Sequence, residues 1–132
     1  MVELIKVLIV EDNPFMMRMY GRYFQSAGFA VVTANDGIEA VQTATEQRPQ
    51  IILMDVMMPK QNGLDALKAL KADAQTKDIP VVMLSAYEED DLMQAALQAG
   101  ANRYLLKGSL EPDAVVAIIS EIVAEHRAQA QA

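Results

Sequence analysis

The chain has no cysteine, which excludes disulfides, thiolate-held metals and a cysteine nucleophile while leaving the redox compartment open. Long apolar runs are missing too: the opening MVELIKVLIVEDN meets a pair of acids after a few apolar residues, too soon for a signal peptide or a membrane span. Repeats, linkers and low-complexity tracts are absent apart from the closing AQAQA. Basic residues are the minority, 11 against 18 acids, and the net charge of −7 repels phosphate backbones and anionic membrane surfaces. Direct nucleic-acid binding and membrane insertion are therefore not expected, and a cytoplasmic location is the default.

What is present is the composition of a packed protein, 52% hydrophobic and 22% charged over 132 residues. That length suits one domain, with a core over about 5–126 and a frayed tail at 127–132. Short β-branched runs alternate with stretches of helical spacing. The pattern predicts strands at Ile5–Val10, Phe29–Thr33, Gln50–Met54, Val81–Leu84 and Arg103–Leu106. Asn13 with Pro14 starts a first helix that Gly28 closes, and Asp36 caps a second that ends before Pro49. Further helices are expected from about Gly63 to Ala74, Glu88 to Ala99 and Glu111 to His126, with Gly100 closing the fourth. Five such units fit an α/β, flavodoxin-like, doubly wound parallel sheet of order 2-1-3-4-5 with helices on both faces. Ligands of that fold bind beyond the carboxyl ends of the strands.

Those ends carry Glu11 and Asp12 after the first strand, Asp55 after the third, Ser85 after the fourth and Lys107 after the fifth. Three carboxylates at one sheet edge repel each other and raise at least one pKa unless a hard dication neutralises them. Mg2+ suits such oxygen donors, with Mn2+ an alternative. Asp55, taken as the outermost carboxylate, is then placed to attack phosphorus, with Lys107 and the metal stabilising the transferring group and Ser85 adding a hydroxyl donor.

The segments IVEDNP, LMDVMMPKQNGLD, VVMLSA and YLLK, in this order and spacing, resemble the receiver domain of two-component response regulators across essentially the whole chain. The resemblance implies a phosphoacceptor at Asp55 and a cation held by Asp12 and Asp55, Glu11 and the main-chain carbonyl of Met57. It implies that Ser85, the amides of Val56, Met57 and Ala86, and Lys107 hold the phosphoryl oxygens, and that Tyr104 is a switch aromatic moving with Ser85. The donor would be a histidine kinase or histidine phosphotransfer protein. The output would be a protein target, or onward relay, through the face of the fourth helix, fifth strand and fifth helix, with no DNA-binding output domain and a monomer or weak dimer. An enzyme in its own right is not expected.

Each residue also has a plainer reading. Glu11 and Asp12 can simply favour a helix N-terminus, Lys107 can be a solvated strand-end charge, Ser85 a turn residue or cap, and Tyr104 a half-buried strand aromatic. Met16, Met17 and Met19 read as packing residues, and His126 as solvent-facing. Where the family usually has proline after the lysine, Gly108 and Ser109 follow Lys107, so a trans Lys107–Gly108 bond is expected. Neither Met57 nor Tyr87 is suited to activating water, which predicts slow self-dephosphorylation. A Mg-dependent phosphohydrolase working through an aspartyl-phosphate is the alternative function. It would want a general acid where Met57 stands, and flavin binding would want a phosphate-cradling loop where EDNP stands.

Overall fold

The computed structural model describes residues 4–58, 62–86 and 88–131. Pro59, Lys60, Gln61 and Tyr87, which enter the sequence reading, lie outside the described residues. Strands and helices alternate as β1 (Lys6–Val10), α1 (Pro14–Ser26), β2 (Ala30–Ala34), α2 (Gly37–Gln47), β3 (Ile51–Asp55), α3 (Gly63–Ala72), β4 (Val81–Ser85), α4 (Asp90–Gln98), β5 (Arg103–Leu106) and α5 (Pro112–Gln131). All pairings are parallel, in the order β2-β1-β3-β4-β5, the doubly wound arrangement that the alternating pattern and right-handed crossovers dictate.

Strand side chains alternate between the two faces, so each strand feeds two cores. Leu8, Val10, Ile52, Met54, Val81 and Met83 lie beneath Ala40 and Ala44 of α2, Leu67 and Leu70 of α3 and Ala96 of α4. Val7, Ile9, Ile51, Leu53, Val82 and Leu84 pack on the other side against Tyr20 and Phe24 of α1 and Val115, Ile119 and Ile122 of α5. β3 and β4 are buried on both faces at every position, which is why they read as unbroken apolar runs. Each fully buried Leu or Ile contributes about 1.5–3 kcal/mol relative to exposure.

Local chemistry sets the helix ends. Asn13 Oδ1 accepts from the Phe15 and Met16 amides at 2.9 and 3.2 Å, and Asp36 Oδ1 from the Glu39 amide at 2.9 Å, so both N-terminal caps stand where their side chains indicate. Gly28 (φ 94°) and Gly100 (φ 110°) take the left-handed conformation that follows a helix C-terminus. The C-cap of α2, however, is Arg48 at φ 48°.

Several ends differ from the sequence reading. α3 stops at Ala72 instead of Ala74 because Asp73 is extended. The Asp73 side chain then accepts the Gln75 amide at 2.8 Å, and the buried Thr76 hydroxyl donates to the Leu70 carbonyl at 2.6 Å. α4 starts at Asp90, after a Glu89 that makes no side-chain cap bond. α5 continues to Gln131, so residues 127–131 are helical instead of the frayed tail expected from their composition; alanine and glutamine are good helix formers. The Lys107–Gly108 bond is trans, as expected from the missing proline.

Candidate functional site

The parallel register brings four strand ends level. Val10 pairs with Met54, Asp55 with Leu84 and Ser85 with Leu106. The ladder extends through these ends: the Val56 amide donates to the Leu84 carbonyl at 3.2 Å and the Lys107 amide to the Ser85 carbonyl at 2.8 Å. Asp55 and Ser85 are therefore the last residues of their strands instead of the first residues of loops, and Glu11, Asp55, Ser85 and Lys107 share one edge of the sheet.

One oxygen from each of Glu11, Asp12 and Asp55 falls within 4.8 Å of the others. The Lys107 ammonium donates to Glu11 Oε1 at 2.7 Å and to Asp55 Oδ2 at 3.0 Å. Asp55 Oδ1 accepts the Met57 amide at 3.1 Å, and Glu11 Oε2 lies 3.4 Å from the Asn13 amide. Glu11 and Asp55 are only 3% and 7% exposed, whereas Asp12 is exposed. This corrects the expectation that Asp55 is the outermost acid: Asp55 closes a strand covered on both faces, while Asp12 stands in the turn entering α1.

Burial pushes the Glu11 carboxyl up from 4.5 to about 7; the Lys107 ammonium opposes the rise, and Asp55 adds to it. Burial by itself would lower the Lys107 ammonium, but its hydrogen bonds and charge interactions with Glu11 and Asp55 overcome that and raise it. Two buried carboxylates and the exposed Asp12 against one half-buried ammonium leave the pocket short of positive charge. The donor set is all hard oxygen with no thiolate or imidazole, which fits Mg2+ or Mn2+ and does not fit a soft metal.

Ser85 is fully buried at the end of β4. Tyr104, in β5, packs half-buried against the core beneath α2, α3 and α4. The Met57 side chain is 54% exposed beside the pocket, and His126 is half-buried on α5, more enclosed than the sequence reading had it. The sequence reading missed the steric part played by Gly63. Its amide donates to the Val56 carbonyl at 2.7 Å, and a Cβ there would collide with the Asp55 carbonyl oxygen. The available signal was a glycine at the first position of a helix, where a side chain is ordinarily tolerated.

With this geometry in view, the chain can be set beside known proteins. Residues 7–120 match the model of the response regulator receiver domain. The transcriptional regulatory protein PrrA of Mycobacterium bovis is 41% identical over 102 residues, covering 77% of this chain and 43% of that protein. The chain thus spans less than half the length of that relative. The polar-differentiation response regulator DivK of Brucella anthropi is 34% identical over 101 residues, covering 76% of this chain and 82% of DivK. The crystal structure of a putative response regulator from Chloroflexus aurantiacus superposes with a TM-score of 0.86 at 31% identity, covering 92% of this chain and 99% of that one. Family model, relatives and fold converge on one conclusion: the chain belongs to the response regulator receiver domains of two-component signalling.

Proposed function

We propose that this receiver accepts a phosphoryl group on Asp55 from a histidine kinase or histidine phosphotransfer protein and uses it to change the surface formed by α4, β5 and α5. The observation carrying this reading is the Lys107 ammonium held 2.7 Å from Glu11 and 3.0 Å from Asp55 beside three converging carboxylates. An Asp55 carboxylate oxygen gives an electron pair to phosphorus. A P–O bond forms as the P–N bond of the donor phosphohistidine breaks, and the leaving imidazole nitrogen keeps that bonding pair. Glu11, Asp12, Asp55 and the Met57 carbonyl would hold Mg2+ or Mn2+, which supplies neutralising charge at the transferring group.

Lys107 then exchanges its contact with Asp55 for the new phosphoryl oxygens, joined by the Ser85 hydroxyl and the amides of Val56, Met57 and Ala86. Ser85 and Tyr104 lie two residues apart along the β4–β5 ladder, on the same face, since Met83 pairs with Tyr104 and Ser85 with Leu106. A hydroxyl drawn toward the phosphoryl group on β4 therefore alters the packing available to the Tyr104 ring, and the altered face meets a protein target or passes the group onward. The exposed thioether of Met57 is no base, so the acyl phosphate is long-lived.

The test is labelling from a small-molecule acyl phosphate. Wild type should take up a single phosphoryl group per chain when Mg2+ is present and none in chelator, and Asp55→Asn should take up none. Equal labelling of Asp55→Asn would refute the assignment. Consumption of donor far beyond the amount of protein would favour a phosphohydrolase instead.

A further inference from the structure

Three methionines cluster at the end of β3, and they differ sharply in access to solvent. Met54 is 0% and Met58 8% exposed, whereas Met57 between them is 54% exposed. Every other described methionine is buried or half-buried. The backbone of Met57 is fixed against the acidic pocket, since its amide donates to Asp55 Oδ1 at 3.1 Å and its side chain leaves from the carbon bonded to that nitrogen. A thioether is therefore held in water beside the three converging carboxylates, where burial contributes little to keeping it. The described side-chain groups around it are carboxylates, a hydroxyl and an ammonium, so sulfur is the readily oxidised atom at this edge of the sheet.

We propose that Met57 is a peroxide-sensitive modification site whose sulfoxide shortens the life of a phosphoryl group on Asp55. The second half of this statement rests on Asp55 being the phosphoacceptor. A sulfur lone pair attacks one oxygen of hydrogen peroxide or an alkyl hydroperoxide. The S–O bond forms as the O–O bond breaks, and the departing oxygen takes the proton of the transferred hydroxyl and leaves as water or an alcohol. Sulfur is oxidised by two electrons and the peroxide is reduced by two. Charge favours this class of oxidant: a neutral peroxide enters an acidic pocket in a chain of net charge −7, which repels anionic oxidants such as hypochlorite. The product replaces a weakly accepting thioether with a polar S=O group. Its oxygen accepts a hydrogen bond from a water and holds that water beside the acyl phosphate. The water oxygen bonds to phosphorus as the P–O bond to Asp55 breaks, the carboxylate keeps the bonding pair, and one proton passes to solvent.

Peptide mass mapping after brief exposure to dilute hydrogen peroxide should find the sulfoxide at Met57 before any other described methionine, with Met54 and Met58 as buried internal controls. Oxidised protein, labelled from an acyl phosphate with Mg2+ and then freed of donor, should lose its label about threefold faster or more than unoxidised protein. Methionine sulfoxide reductase should restore the slower rate. Met57→Leu should show the same rate before and after peroxide, and Met57→Gln, which places an amide oxygen at similar reach, should lose label faster than Met57→Leu without any oxidant. Oxidation spread evenly over the methionines, or reaching Met54 or Met58 first, would overturn the site. Equal rates of label loss in oxidised and unoxidised wild type, or an acceleration that persists in Met57→Leu, would overturn the coupling. Absence of label on unoxidised wild type would instead remove the phosphoacceptor reading and the coupling with it, and the mapping would still decide the modification site.

Discussion

Gly63 shows how little room separates β3 from the helix after it. An added Cβ would stand 2.9 Å from Val56 Cα besides colliding with the Asp55 carbonyl oxygen; both are backbone atoms, so only movement of the β3–α3 connection relieves it. Gly63→Ala should cost about 1–3 kcal/mol in denaturant unfolding and slow labelling of Asp55 as well. Glu11 gives a second expectation. Its native pKa of about 7 exceeds the ordinary 4.5, so the folded chain binds the proton more tightly than the unfolded chain. The resulting stability is fully present below about pH 4.5 and is lost as pH rises through about 7. Without metal, Glu11→Gln should flatten that slope in thermal melts compared between about pH 5 and about pH 8. Persistence of the full slope in the variant would place its origin elsewhere. The convergence of residues 11, 12, 55 and 107 was legible because each stands at the end of an apolar run. Their relative exposure was not, since it depends on how far neighbouring strands overlap beyond those runs.

Helix ends divide by whether the signal is a side chain or a backbone angle. Asn13 and Asp36 announce their caps because short polar side chains reach the free amides of the first turn, and both make those bonds. Arg48 gives no such notice: it adopts φ 48° directly before Pro49, a conformation that usually selects glycine. Arg48→Gly should therefore raise stability by up to about 1 kcal/mol, read as a higher denaturant midpoint with unchanged slope. A loss would mean that contacts of the arginine side chain outweigh its backbone strain. The start of α4 lies two residues later than its sequence suggests for the same reason, as Glu89 makes no side-chain cap bond to fix the boundary.

Across the whole molecule, the fold was readable because parallel strands buried on both faces leave an unmistakable alternation of short apolar runs and helices. The split of each strand between two cores follows from the pleat alone. Saturation with Mg2+ should stabilise this metal-poor charge balance, by about 2.7 kcal/mol at about a hundredfold excess over Kd. The rise in Tm should be larger at about pH 8 than at about pH 6, because protons compete for Glu11 below its pKa. An equal rise at both values would detach the ion from Glu11.

The ion pairs of Lys107 span sequence separations of 96 and 52 residues, to Glu11 and Asp55 respectively. Closing these contacts requires β1, β3 and β5 to be in position, so the pocket is among the last features that a growing chain can complete. A nascent fragment ending before residue 107 lacks the ammonium altogether. Assembly of this charged pocket is thereby tied to synthesis past residue 107 and to correct strand topology.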